Sequence, residues 1–203
     1  MLTRHRPSRR SEDGFTLIEL VISIAIFGIV FGALSMVMVG AMTANRDTKV
    51  RLDETRDEQF VAAYFASDVS GATKMSSGQT TVCGTGLAVA EFRGTSFNDV
   101  TLQATDTVVS YVLTTGMASG INTGTLTRFE CESVAASPSV LISTTVVARS
   151  LAPATPVVHC YIGAVEATCA LATTPAPATM TVSFDRRSGG APFVLSGARR
   201  TTP

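Results

Sequence analysis

From Phe15 to Ala44 the chain carries a single charged residue, Glu19, and from Leu20 to Ala44 it carries none. At about 1.5 Å per residue, roughly twenty helical residues cross the ~30 Å hydrocarbon core of a bilayer, so this run predicts a membrane-crossing helix with residues to spare. The pattern then inverts. Between Arg46 and Glu58 nine of thirteen residues are charged. Asp47 stands opposite Arg51 and Lys49 opposite Asp53 at i,i+4 spacing, which predicts a solvated length of helix. Phe60, Val61, Tyr64, Phe65 and Val69 follow as an apolar stripe of period 3.6 that needs a sheet to cover it, and Gly71 ends the pattern. One continuous helix over 15–70 would measure about 84 Å. Beyond Gly71, short runs rich in Val, Thr, Phe and Tyr, broken by Gly, Ser and Pro, predict antiparallel strands at 87–92, 107–113, 125–130, 140–147, 157–162, 179–184 and 193–195. The stretch 171–179, with Pro175 and Pro177, reads as an extended surface loop. The expected fold class is α+β.

Composition narrows this picture. Of 203 residues, 45% are hydrophobic and 16% charged, too apolar a mix to remain disordered, and the length beyond the apolar run suits one modest domain rather than a large multidomain enzyme. Sixteen basic and sixteen acidic residues balance overall. No domain-wide excess of Lys and Arg is present to release counterions from nucleic acid. Arg4, Arg6, Arg9 and Arg10 nevertheless outweigh Glu12 and Asp13 before the apolar run, which places the N-terminus in the cytoplasm and everything after Ala44 outside it.

A secretory signal fits poorly, because the apolar run far exceeds an h-region of roughly 7 to 15 residues and no A-x-A site closes it. A plain membrane anchor leaves Glu19 unexplained, since a carboxylate inside an apolar helix costs roughly 2.5 to 3.5 kcal/mol on insertion scales. The row Gly14-Phe15-Thr16-Leu17-Ile18-Glu19-Leu20-Val21, behind a short Arg-rich leader, resembles the class III signal of type IV prepilins and type II secretion pseudopilins. The resemblance implies that prepilin peptidase cuts after Gly14, that Phe15 becomes the N-methylated first residue, and that Glu19 neutralises the amino terminus of a neighbouring subunit during assembly. It also implies a lollipop-shaped, pilin-like fold, divided into a leader (1–14), a transmembrane and filament-core helix (15–45), an amphipathic spine (46–71) and a β-rich ectodomain (72–203). Its partners would be the peptidase, other pilin or pseudopilin subunits and, before assembly, membrane lipid. Physically, cleavage leaves a cationic amine one helical turn from a carboxylate, and pairing removes the cost of an isolated charge in low dielectric. Gly28 and Gly32, four residues apart, either let helices approach closely or face lipid as tolerated glycines. Family members often carry a helix-loosening proline here; this chain has none, leaving the two glycines as the candidates for that role. The segments at 108–113 and 124–128 resemble, more loosely, the hairpin of the larger minor subunits, particularly the J-type pseudopilin.

All four cysteines, Cys83, Cys131, Cys160 and Cys169, fall on the oxidising side and suggest disulfides, with free buried thiols as the alternative. Three connectivities are open. The favoured one joins Cys160 to Cys169, local across a strand and its loop, and Cys83 to Cys131. No C-x-x-C clamp supports a zinc site, and neither a metal nor a cofactor is expected. His159 is the sole imidazole after the leader and has no nucleophile turn beside it, so it reads as a strand residue and no catalytic set is expected. Asn98, Asp99 and Asp106 offer oxygens for calcium in an order that fits no known loop. Arg186, Arg187, Arg199 and Arg200 make a basic C-terminal end; DNA binding is the weaker reading of it, because no aromatic side chains are interleaved to stack on bases.

Overall fold

A computed structural model describes residues 15–98, 103–118, 120–134 and 139–200. One helix, α1 (Leu17–Gly71), precedes nine strands: β1 (Lys74–Ser76), β2 (Ala88–Asn98), β3 (Gln103–Ala118), β4 (Ile121–Val134), β5 (Val140–Leu151), β6 (Val157–Ile162), β7 (Val165–Ala167), β8 (Thr179–Phe184) and β9 (Phe193–Ala198). The fold class is α+β. The chain divides into two units, up to Thr48 and from Lys49 onward. In the first, every described residue is exposed, and the helix contains a window long and apolar enough to cross a membrane.

In the second unit the helix packs on two antiparallel sheets, ordered β1-β2-β3-β4-β5 and β7-β6-β8-β9. Val61, Phe65 and Val69, one turn apart on α1, enter a core that takes Phe92, Tyr111 and Leu126 from the first sheet and Met180, Val182 and Leu195 from the second. The Phe65 ring meets Phe92 and Tyr111 edge-on at 5.3 and 5.8 Å. Where β9 crosses the helix it carries Gly197, and a Cβ there would lie 2.8 Å from Val69 Cβ.

The strands match the expected runs, but several are longer. The β3–β4 ladder runs without a shift from Thr105↔Val134 to Ala118↔Ile121, well past the expected 107–113 and 125–130. Polar Thr and Gly positions at its ends are carried by pairing alone, which a search for apolar runs does not see. The three-residue strands β1 and β7 were not expected. Period two explains why β3 is buried on both faces: Val109 and Tyr111 face α1, while Val108, Ser110 and Val112 lie on the opposite side. That side is covered by residues 77–86, a segment the sequence leaves as connection. Gly84 there has φ +92° and sits so close to Phe129 that a Cβ would approach the ring to 2.6 Å. Under this cover Glu91 is buried and is compensated by Arg93 Nε at 2.9 Å and Ser110 Oγ at 3.4 Å. Thr81 Oγ1 and Ser110 Oγ share a hydrogen bond of 2.5 Å.

One expectation is overturned. The charged stretch 46–58 is not wholly a solvated face, because Glu54 is only 5% exposed. It accepts from Ser188 N at 2.7 Å and Ser188 Oγ at 2.5 Å. Asp57 accepts from Arg149 N at 2.7 Å, and Glu58 pairs with Arg186 Nη2 at 2.8 Å. Positions 54, 57 and 58 share one helical face, which continues the apolar stripe as a line of acceptors. The i,i+4 rule counts only partners on the same helix and cannot detect partners brought by a sheet.

Candidate functional site

The N-terminal motif is built from its first turn. Thr16 precedes the helix as its N-cap, with Glu19 at the third helical position. The Glu19 N–H donates to Thr16 Oγ1 at 3.4 Å and to Thr16 O at 3.1 Å, and Leu20 N–H donates to Thr16 O at 3.2 Å. Threonine followed three residues later by glutamate is the signature of a capping box, a signal that the sequence carries and that a search for charge and hydropathy passes over. Phe15 and Glu19 are exposed. Among the described residues no side chain of the same chain pairs with the Glu19 carboxylate. Gly14, with the rest of the leader, lies outside the described residues.

Further along, each hydroxyl in the apolar run returns its proton to the helix. Ser23 donates to Glu19 O at 2.7 Å, Ser35 to Phe31 O at 2.8 Å and Thr43 to Val39 O at 3.0 Å. Such self-satisfied donors suit a helix in hydrocarbon, where unpaired polar groups are costly. A Cβ added at Gly28 or Gly32 would meet nothing within 4 Å, so neither glycine is required by packing within the chain. Gly28 leaves a notch beside Ser23, Ile24, Phe27 and Phe31, and the two phenylalanine rings lie 5.1 Å apart.

The remaining candidate residues fall in the second unit. Cys83 joins Cys131, and Cys160 joins Cys169, with Cα separations of 5.7 and 5.3 Å. The first pins the covering segment to β4; the second ties the loop after β7 to β6. His159 lies on β6, and its Nδ1 is 2.5 Å from Glu166 Oε1 across the β6–β7 hairpin. Arg186 also donates to Ala191 O, and Arg199 donates to Thr73 O and Ala176 O. Two of the four C-terminal arginines are thus engaged within the domain rather than simply solvated. Asp106 accepts from Thr95 Oγ1 at 3.4 Å; Asp99 lies outside the described residues. No group of three or more His, Cys, Asp or Glu that could hold a metal occurs among the described residues.

The strongest electrostatics belong to a cluster that sequence reading missed. Arg128 on β4 grips Asp68 of α1 with two bonds of 2.8 Å, Nε to Oδ2 and Nη2 to Oδ1. Tyr111 OH donates to the same Asp68 Oδ2 at 2.6 Å. Arg128 Nη1 reaches Glu130 Oε2 at 2.8 Å, Ser143 Oγ donates to that oxygen at 3.0 Å, and the guanidinium stands 5.3 Å from the Tyr64 ring centroid. Burial, then the Asp68 carboxylate, push the Tyr111 hydroxyl far above its ordinary range, so it remains a donor. The hydrogen bond to Asp68 raises Arg128, and the hydrogen bond from Arg128 lowers Glu130. This arrangement fixes helix against sheet; it presents no open acid or base.

Residues 9–35 match the family model described as the prokaryotic N-terminal methylation motif, the class III signal of type IV prepilin- and pseudopilin-like proteins. The motif indicates a type IV pilin-like protein that is processed by prepilin peptidase and assembles with other pilin subunits. No curated protein and no solved structure matches the chain.

Proposed function

We propose that this chain is a structural subunit, a minor pilin or pseudopilin, of a type IV pilus or a type II secretion-like filament. Prepilin peptidase removes residues 1–14 at the cytoplasmic face, Phe15 becomes the N-methylated terminus, and the helix holds the subunit in the membrane with its β-rich domain outside the cytoplasm. On assembly the Glu19 carboxylate meets the amine of an adjoining subunit, and Gly28 and Gly32 admit that neighbour's helix. The observation that supports this most is the state of Glu19. It is the one charge of an otherwise apolar run, is exposed on the helix and lacks a partner within its own chain among the described residues. An ion so placed needs a counter-charge from elsewhere. A cap at the filament tip usually lacks this carboxylate, so the subunit belongs below such a cap. The alternative of a membrane-anchored extracytoplasmic enzyme or binding module gains no free imidazole from His159, which pairs with Glu166, and that of a DNA-uptake minor pilin gains nothing from Arg186 and Arg199, which are held internally.

The capping box supplies a clean test. Glu19→Gln keeps a side chain that can serve the box and removes only the charge. Intact mass should show wild type and variant alike beginning with N-methylated Phe15, while incorporation of the variant into sheared filaments falls at least tenfold. A terminus at Met1, or normal assembly of the variant, would refute the proposal.

A further inference from the structure

Strand β8 stands between β6 and β9, and the register of the three strands sorts their side chains onto two faces. Cys160, Met180, Val182 and Leu195 turn into the core, and Gly197 meets Val69 of α1 on that same side. Alternation puts the intervening residues on the opposite face. There His159, Thr181 and Ser196 make one row across the sheet, and Tyr161, Thr179 and Ala198 make the next. All six are at least partly exposed. Two features set this face apart from an ordinary solvated sheet. The first is its lack of charge. Protein surfaces carry roughly 25–35% Lys, Arg, Glu and Asp, so the nine residues of β6, β8 and β9 that point this way would include about two or three. They include none. The second feature is a pair of adjacent rings. The centroids of His159 and Tyr161 lie 6.4 Å apart with 31° between the ring planes. Glu166, opposite Tyr161 on β7, holds the imidazole by a contact of 2.5 Å at Nδ1, which fixes the ring while 42% of the His159 side chain stays open to solvent. Beside the rings, the hydroxyls of Thr179, Thr181 and Ser196 have no hydrogen-bond partner among the described residues.

We propose that this face binds a neutral glycan chain, with its sugar rings lying on Tyr161 and His159 and its hydroxyls bonded to Thr179, Thr181 and Ser196. The chemistry of the two surfaces matches. A pyranose ring offers C–H faces that rest on the negative faces of aromatic rings, and a rim of hydroxyls that donate and accept as Ser and Thr hydroxyls do. It carries no charge, and neither do the three strands that would meet it. Nucleic acid is the wrong occupant, because these strands present no cation on this face to meet phosphate. A protein fits less well, since Ser and Ala, both present here, are depleted from protein interfaces. The inference concerns the domain from Lys49 onward alone and does not depend on filament assembly.

Saturation-transfer NMR on the full-length chain, held in a zwitterionic detergent without sugar head groups, tests it. The probes are cellohexaose, chitohexaose, maltohexaose and mannohexaose, and at least one should bind saturably. Tyr161→Ala, which removes a stacking ring, and Thr181→Lys, which places a charge on the face, should each weaken that binding by roughly tenfold. Tyr161→Phe keeps the ring and should retain it, as should Leu87→Ala, a change at an exposed apolar residue outside these strands. A benzophenone photocrosslinker in place of Ser196, in the native membrane, should give no protein adduct. No binding by any of the four probes, binding indifferent to both Tyr161→Ala and Thr181→Lys, an equal loss from Leu87→Ala, or a protein adduct from position 196 overturns the proposal. Both disulfides are verified by mass in every variant, and should Tyr161→Ala lose them, Ser196→Lys takes its place.

Discussion

Asp68 and Arg128 are each less than a tenth exposed and hold each other by two parallel bonds, so removing one leaves the other charge buried alone. Asp68→Ala should therefore cost about 3 kcal/mol or more, a loss of roughly 10 °C for a domain of this size, measured by thermal unfolding of the ectodomain. Tyr111→Phe removes one bond from a carboxylate that keeps its arginine and should cost about 1.5 kcal/mol. Glu130 sets the acid limb. Its folded-state value lies below the ordinary 4.5 because Arg128 donates to it. A depressed carboxylate contributes stability that is present above the unfolded value and is lost as pH falls through the folded one. Stability should thus decline below about pH 4.5, and Glu130→Gln should flatten that decline in melting curves taken from pH 7 to pH 3. The Asp68–Arg128 pairing was not legible in sequence, because 60 residues separate the two and spacing rules see only one element at a time.

At the scale of elements, the two disulfides should differ in worth. Loop-closure entropy grows with the length enclosed, and the separations are 48 residues for Cys83–Cys131 and 9 for Cys160–Cys169. The chain-entropy model gives about 4 kcal/mol for the first and about 2.6 kcal/mol for the second. Replacing the first pair with serine should therefore lower the denaturant midpoint more than replacing the second. It should also raise proteolysis within 77–86, the segment that covers Glu91 and Ser110. Four cysteines left three connectivities open, and the fold joins Cys83 to Cys131 and Cys160 to Cys169 because the covering segment lies over β4 and the loop after β7 returns to β6, which brings those Cα atoms within 6 Å. The same logic explains the lengths of β3 and β4. Their apolar middles were readable, whereas their Thr- and Gly-rich ends are strands only because each has the other opposite.

At the scale of the whole molecule, the two units answer to different solvents. The second has its own core and disulfides, so a fragment of residues 49–203 made in an oxidising compartment should be soluble and disulfide-bonded without detergent, as judged by gel filtration and mass, whereas the full chain should require detergent. The N-terminal motif and the membrane run were determined by sequence alone. A local pattern of charge against apolar residues decides insertion and processing, and a run that buries nothing within its own chain takes no further instruction from the fold. The α+β class and the Val61, Phe65 and Val69 stripe were likewise written in periodicity. What tertiary structure decided was the inward turn of Glu54, Asp57 and Glu58, the burial of Glu91 and the Asp68–Arg128 clamp. Each depends on groups far apart in sequence meeting where water is excluded, and that meeting sets whether a charge is solvated, paired or left waiting for a partner.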